Sequence, residues 1–346
     1  MSSRPLTYAD AGVDLTAWAE TKARIGRLVK STYNAAVVGS FGQFGGLFDI
    51  SALKELERPI LVSSVDGVGT KLKIAFEMGI HDTVGEDIVN HCIDDILVLG
   101  ARPLYFLDYL GTGKLSPEVA EQIVAGLARA CRQAGIPLIA GETAEMPGFY
   151  TAGEYDLAGT IVGVVDGAKV VDGSGIVPGD VVLGLRSNGL HTNGYSLARK
   201  IITEVAGKSY TERFEEAGMS FGEELLRPHR PYTPVWNLLQ GGLVKGCAHI
   251  TGGGFPDNVD RILPQGCDAL IDTNTWEPDP IFCFLHKTGG VERAEMYRTF
   301  NMGIGMVLVV AAAEVEKVKG AGELAEFDPR VIGEIRAGEG KVVLEW

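Results

Sequence analysis

The sequence has no C-x-x-C pair. Its five cysteines, Cys92, Cys131, Cys247, Cys267 and Cys283, are odd in number and far apart. That spacing excludes a disulfide framework and a paired-thiolate zinc site, and it suits thiols kept reduced in a cytoplasm. Basic residues fall short of acidic ones, 31 against 45, for a formal net charge of −14. This balance argues against a nucleic-acid groove or an anionic membrane surface as partner. Long apolar runs are missing too, and the richest window, 302–313, is too short to span a bilayer. A basic segment followed by an apolar one is absent at the N-terminus, so no secretory signal is expected.

What is present is glycine: 46 residues in 346, roughly twice the usual ~7% and a sign of many tight turns and backbone-lined sites. The length suits two domains, each able to bury a core. Apolar runs that read as strands cover 59–62, 103–109, 137–140, 157–165, 181–185 and 307–312. Helical spacing covers 15–30, 86–99, 116–134, 195–205 and, broken by prolines, 223–242. Glycine, aspartate and proline cluster at 167–180, which places a boundary near Val170 and divides the chain into 1–170 and 171–346. Strands alternate with helices on both sides, so the fold class is α/β (α+β).

The chemistry concentrates after the strand at 59–62. Asp66-Gly67-Val68-Gly69-Thr70-Lys71 sets one carboxylate, two glycines and a lysine at a strand end where a helix begins. Glycine amides and a helix start suit phosphate, a strand-end carboxylate suits Mg²⁺, and Lys71 adds a point charge. An Asp-Gly pair after a strand also makes an ordinary turn, and neither the Walker A nor the dinucleotide spacing is present. Glu142 repeats the pattern, an acid directly after a strand and beside Gly141. Asp87, Asn90, His91 and Asp94 line one stripe of the 86–99 helix, with Asp95 on its flank. That stripe reads as a solvated face, or as a metal-facing edge with Asp95 turned toward Asp66. The segment 39–46 interleaves glycines, Gly42 and Gly45 among them, with phenylalanines: a closing loop or a Gly-rich hairpin. His191-Thr192-Asn193 precedes a helix, and Thr251-Gly252-Gly253-Gly254 carries three consecutive glycines, whose chain entropy favours close approach of a ligand.

Taken together, YADAGVD at 8–14, DGVGTKLK at 66–73, GARPLYFLDY at 100–109, TGKL at 112–115, GETAEMPG at 141–148, HTNGYSL at 191–197, ITGGGF at 250–255 and EMYRTFNMGIGM at 295–306 run in order along the chain. In these motifs the sequence resembles the phosphoribosylformylglycinamidine cyclo-ligase family of purine biosynthesis. The resemblance implies a homodimer in which N-terminal mixed sheets, backed by helices, join as an interface barrel, with a C-terminal α/β sandwich completing each site. It implies ATP-dependent ring closure of a small ribonucleotide, with Mg²⁺ held by Asp66, Asp95 and Glu142. Gly42, Gly45, Gly67, Gly69, Thr70 and Lys71 are then expected at ATP, and His191, Thr192, Asn193 and Thr251 to Gly254 at the ribonucleotide, with Asp66, Lys71 and His191 acting in catalysis and His191 moving a proton. Two positions depart from the family: Asp94 precedes Asp95 where Asn is common, and Val65 replaces a common Thr. A selenophosphate synthetase-like relative would carry a cysteine near the first glycine-rich loop, and none precedes Cys92.

Overall fold

The structure, a computed structural model, describes residues 5–346. Helix α1 (Leu15–Lys30) starts where the Asp14 carboxylate accepts the N–H groups of Thr16 and Ala17, satisfying two donors that the first turn leaves unpaired. Strand β1 (Pro59–Gly67) leads into α2 (Leu72–Met78) and α3 (Asp82–Leu97). Then follow β2 (Arg102–Thr112), α4 (Pro117–Gln133), β3 (Leu138–Glu145) and β4 (Tyr155–Asp166). Ser116 caps α4 and Pro117 occupies its first position, as the residue types dictate. The sheet runs β1-β4-β2-β3, parallel only between β2 and β3, the pair joined by the α4 crossover.

Helices α3 and α4 cover one face of this sheet. They cross at Gly85 and Gly126, where a Cβ on Gly126 would collide with the Asp82 carbonyl. Gly85 is therefore a helix-crossing point inside α3, which starts at Asp82, earlier than the expected 86. The opposite face is open: Leu61 and Val65 are 62% and 69% exposed. Within one chain this sheet does not close on itself, so a barrel requires a second copy.

The chain then builds a second mixed sheet from β5 (Val181–Arg186), β6 (Val244–His249), β7 (Cys267–Asp272), β8 (Ile304–Val310), β9 (Arg330–Ala337) and β10 (Val342–Glu345), in the order β6-β8-β5-β9-β7-β10. Every residue of β8 is buried, as its unbroken apolar run requires. The helix expected over 195–205 is α-helical at Tyr195–Lys200 and continues as a π turn, Ile201–Val205. A further helix starts within the glycine cluster, at Gly254–Val259. The segment 39–46 joins two-residue strands, Val37–Val38 and Leu47–Phe48, so its hairpin reading holds.

Prolines 228, 231 and 234 break the expected helix over 223–242 into Phe221–Leu225 and Trp236–Gln240. Apart from one 3-10 turn at Thr233–Val235, the stretch between them has backbone groups that no helix satisfies, and α3 satisfies three of them. The N–H of His229 donates to Asp87 at 2.7 Å and that of Tyr232 to Asp94 at 2.9 Å, while Asn90 Nδ2 donates to the His229 carbonyl at 2.7 Å. The stripe on α3 is therefore no solvated face; it is the buried seam between the two sheets.

Lys71 is part of the same seam. Its side chain has no exposed area, and Nζ lies 2.8 Å from the Asp87 carboxylate and donates to the carbonyls of His191 and Arg227. All three ammonium donors are taken, so the expected contact of Lys71 with phosphate is not made. Burial pulls the lysine down and the aspartate up from their ordinary values, and their contact opposes both shifts. Breaking such a pair strands a charge. Lys71→Met is expected to lower unfolding free energy by about 3–5 kcal/mol in urea titration at neutral pH. An overpacked Gly126→Ala is expected to cost about 1–3 kcal/mol in the same measurement.

Candidate functional site

Asp66 ends β1 with its side chain on the face that α3 covers. Its Oδ2 lies 2.7 Å from His91 Nε2, and its Oδ1 accepts the N–H of Gly67 at 2.7 Å. Gly67 therefore steadies the carboxylate itself. Asp95 is one helical turn beyond His91, with Oδ2 3.6 Å from the same Nε2. Ser64 Oγ donates to Asp95 Oδ2 at 2.9 Å, and His249 Nδ1 lies 3.0 Å from Asp95 Oδ1. Burial pushes both carboxyls up, but the histidines outweigh it and hold Asp66 and Asp95 below the ordinary range. Conversely, burial pulls His91 down, and its two acidic neighbours raise it above the ordinary value.

Asp66, His91 and Asp95 each bring one donor atom within 4.8 Å of the others. The two carboxylates are 44% and 25% exposed at the mouth, ionised and rich in oxygen, which is the donor set a hard ion such as Mg²⁺ takes. Asp94, its sequence neighbour, points the opposite way into the seam and is wholly buried. Burial pushes the Asp94 carboxyl well up, so of the adjacent pair only Asp95 suits an ion.

The C-terminal half supplies the other wall. His91 Nδ1 and Thr192 Oγ1 are 2.7 Å apart, and Thr70 and Ser196 hydroxyls meet at 3.0 Å. Asn193 Oδ1 faces the open side of Gly252 at 3.3 Å from its ideal Cβ position. Gly69 has φ +73° and open space where a Cβ would stand. Gly254 is glycine for a different reason than ligand approach: a Cβ there would strike the Tyr297 carbonyl. Gly253 has φ +92° at the start of that helix, and Thr251 Oγ1 donates to Asn258.

His191 is only 2% exposed, in a left-handed conformation at φ +61° that few non-glycine residues adopt. Its carbonyl, held by Lys71 and by Tyr195 Oη at 3.0 Å, fixes that strained turn. Burial, followed by the charges of nearby histidine and lysine groups, pulls its imidazole well below the ordinary value, so it is neutral, and Nδ1 has no partner.

Glu142 is not with Asp66 and Asp95. Asp66 pairs with Gly159, Gly159 with Asp108 and Asp108 with Gly141, so Glu142 falls on the opposite sheet face. It stands three strands from Asp66, about 14 Å at about 4.8 Å per strand. It lines instead a cavity of 440 Å³ between α1, the 39–46 loop and β3, together with Gly42, Gly45, Phe41, Lys22 and Asp108. Lys22 lies outside the sequence motifs, and Asp108 lies within GARPLYFLDY but carried no site role there. The Asp108 carboxyl fills the space left by the missing Cβ of Gly141, and burial, with the nearby Glu142 charge, raises it to about 7.

Comparison with known proteins covers both halves of the chain. The family described as AIR synthase related protein, N-terminal domain, matches residues 48–165, and its C-terminal domain counterpart matches 177–345. A phosphoribosylformylglycinamidine cyclo-ligase of Syntrophotalea carbinolica is 52% identical over 333 residues, covering 96% of this chain and 95% of its own. One from Trichlorobacter lovleyi is 52% identical over 342 residues, 97% of each. Among solved structures, a thiamine-monophosphate kinase from Stenotrophomonas maltophilia superposes with TM-score 0.66 at 17% identity, covering 92% of this chain and 94% of its own. The hydrogenase maturation protein HypE in complex with ATP gives 0.64 at 16% identity, covering 92% and 88%. At those identities the likeness is one of fold.

Because the folded value of Asp108 lies above its ordinary 3.8, it adds stability below that pH, and the contribution is lost as pH rises through about 7. Carboxyl ¹³C NMR is expected to show one aspartate titrating near 7, moved down by Glu142→Gln. Asp108→Asn is expected to flatten the thermal midpoint between those two pH values.

Proposed function

The chain belongs to the phosphoribosylformylglycinamidine cyclo-ligase family, and on that premise we propose that it closes formylglycinamidine ribonucleotide to aminoimidazole ribonucleotide in purine biosynthesis. The γ-phosphoryl group of ATP passes to the formyl amide oxygen, leaving ADP. The amidine-side nitrogen then attacks the formyl carbon, the C–O bond breaks, and phosphate leaves with that oxygen.

The observation that carries this reading is the convergence of Asp66 and Asp95 at a seam walled by Thr192, Asn193 and Gly252. Asp66 and Asp95 would hold Mg²⁺ there; when bound, the ion neutralises triphosphate charge and steadies the transferred oxygens. Gly69 and Thr70 face the phosphates, while Thr192, Asn193, Thr251 and Gly252 take the ribonucleotide. The cavity bearing Gly42, Gly45 and Phe41 suits the rest of ATP: its volume is in the range of small-molecule pockets, Lys22 supplies positive charge, and closing glycine-rich backbone excludes water. Glu142 and Asp108 act at that cavity. His191, neutral, with Nε2 accepting the Asn188 N–H at 3.5 Å and Nδ1 unpartnered, is the group that moves a proton in ring closure. The fold shared with a protein solved with ATP supports the nucleotide assignment.

The reading includes a homodimer in the cytoplasm. The open sheet face, carrying Leu61 and Val65, is the surface that two copies would bring together as a barrel. No helix of the described residues is long and apolar enough to cross a membrane.

ADP release on addition of formylglycinamidine ribonucleotide tests the assignment. Asp66→Asn is expected to lose about 10²-fold or more in kcat with its circular dichroism unchanged. Equal rates would remove Asp66 from the site, and no ADP from the wild type would end the reading. Sedimentation of Val65→Asp is expected to shift the dimer to monomer.

A further inference from the structure

Four of the six histidines, His91, His191, His229 and His249, meet in one cluster, each 6% exposed or less. They arrive from α3, the loop after β5, the proline-broken segment and the end of β6, so both halves of the chain contribute. The His229 ring centroid lies 5.4 Å from that of His91, 5.0 Å from His249 and 4.0 Å from His191. Ring closure as described above makes no use of His229.

The hydrogen bonds decide which nitrogens carry protons. His249 Nδ1 faces the Asp95 carboxylate, which only accepts, so Nδ1 is the donor. His229 Nδ1 lies 3.0 Å from the Arg230 carbonyl, again an acceptor alone. A neutral imidazole has one N–H, so both rings turn an Nε2 lone pair inward, and those two atoms are 3.0 Å apart. Facing lone pairs repel unless something positive sits between them. His91 adds a third nitrogen: one from each of His91, His229 and His249 lies within 4.8 Å of the other two.

We propose that His229 and His249, completed by His91, form a binding site for a borderline-soft divalent ion of the Zn²⁺, Co²⁺ or Ni²⁺ class. Three imidazoles rank such ions above Mg²⁺, whose preference is oxygen, so this site is chemically distinct from the Asp66–Asp95 pair beside it. Asp95 and the Arg230 carbonyl are the outer partners that metal-bound imidazoles ordinarily take at their second nitrogen. His91 is at present between Asp66 at 2.7 Å and Thr192 at 2.7 Å, so joining the ion releases one of these contacts. Loading therefore clamps α3 to the C-terminal half and alters the setting of Asp66.

Co²⁺, which reports nitrogen ligation through its visible ligand-field bands, is the probe. Tag-free, chelator-treated full-length protein carrying Cys283→Ser, to remove the exposed thiol, is titrated with Co²⁺ in excess Mg²⁺. About one equivalent is expected to bind with visible bands and a raised thermal midpoint. His229→Gln is expected to weaken that binding at least about 100-fold, no less than losing an outer partner does. In the unsubstituted cluster, NMR is expected to show the ring signals of these four histidines broadened by Co²⁺ while exposed His286 stays sharp. Absence of bands, unchanged affinity in His229→Gln, or broadening of His286 alone would overturn the site. None of these readouts depends on ring-closing activity.

Discussion

The structure depends on a bargain between a helix and a stretch of chain that is unable to be one. Proline at 228, 231 and 234 denies that segment its own hydrogen bonds, and α3 offers Asp87, Asn90 and Asp94 to complete them. Buried acids are costly alone and buried amides are costly alone; set against each other, with Lys71 as counter-charge, each removes the other's penalty. The same helix turns His91 and Asp95 toward Asp66. The joint and the acidic site are thus neighbouring stripes of one helix, and neither moves without the other.

This explains why some of the molecule was legible in the sequence and some was not. Strands with unbroken apolar runs, such as β8, and helices with local caps, such as α1 and α4, carry their signals within a few residues. The meeting of Asp66 with Asp95 was legible because a carboxylate at a strand end stands opposite a helix whose flank position turns Asp95 toward that strand. The polar stripe of α3 was misread because its partners lie up to 142 residues further along the chain. Lys71 was misread for the same reason. Its turn has the composition of a phosphate loop, and nothing local announces Asp87 and two remote carbonyls waiting beneath it.

Glycine tells a similar story in both directions. At Gly69 the backbone is left-handed and the surroundings are open, as a ligand-facing turn requires. At Gly126 and Gly254 the missing side chain makes room for another part of the protein's own backbone. Glu142, an acid beside glycine after a strand, repeats the local pattern of Asp66 but sits across the sheet on its other face. A strand-end acid states that a site is near; sheet order decides which one.

The proline-broken segment has a consequence for any attempt to separate the two halves. Cut between the sheets, the N-terminal piece would present a helix whose acids and lysine face water where they had faced amides and carbonyls. The C-terminal piece would carry a loop with no scaffold to shape it. Neither fragment keeps a finished surface, so the polypeptide is expected to melt as one cooperative body and not as two beads on a string.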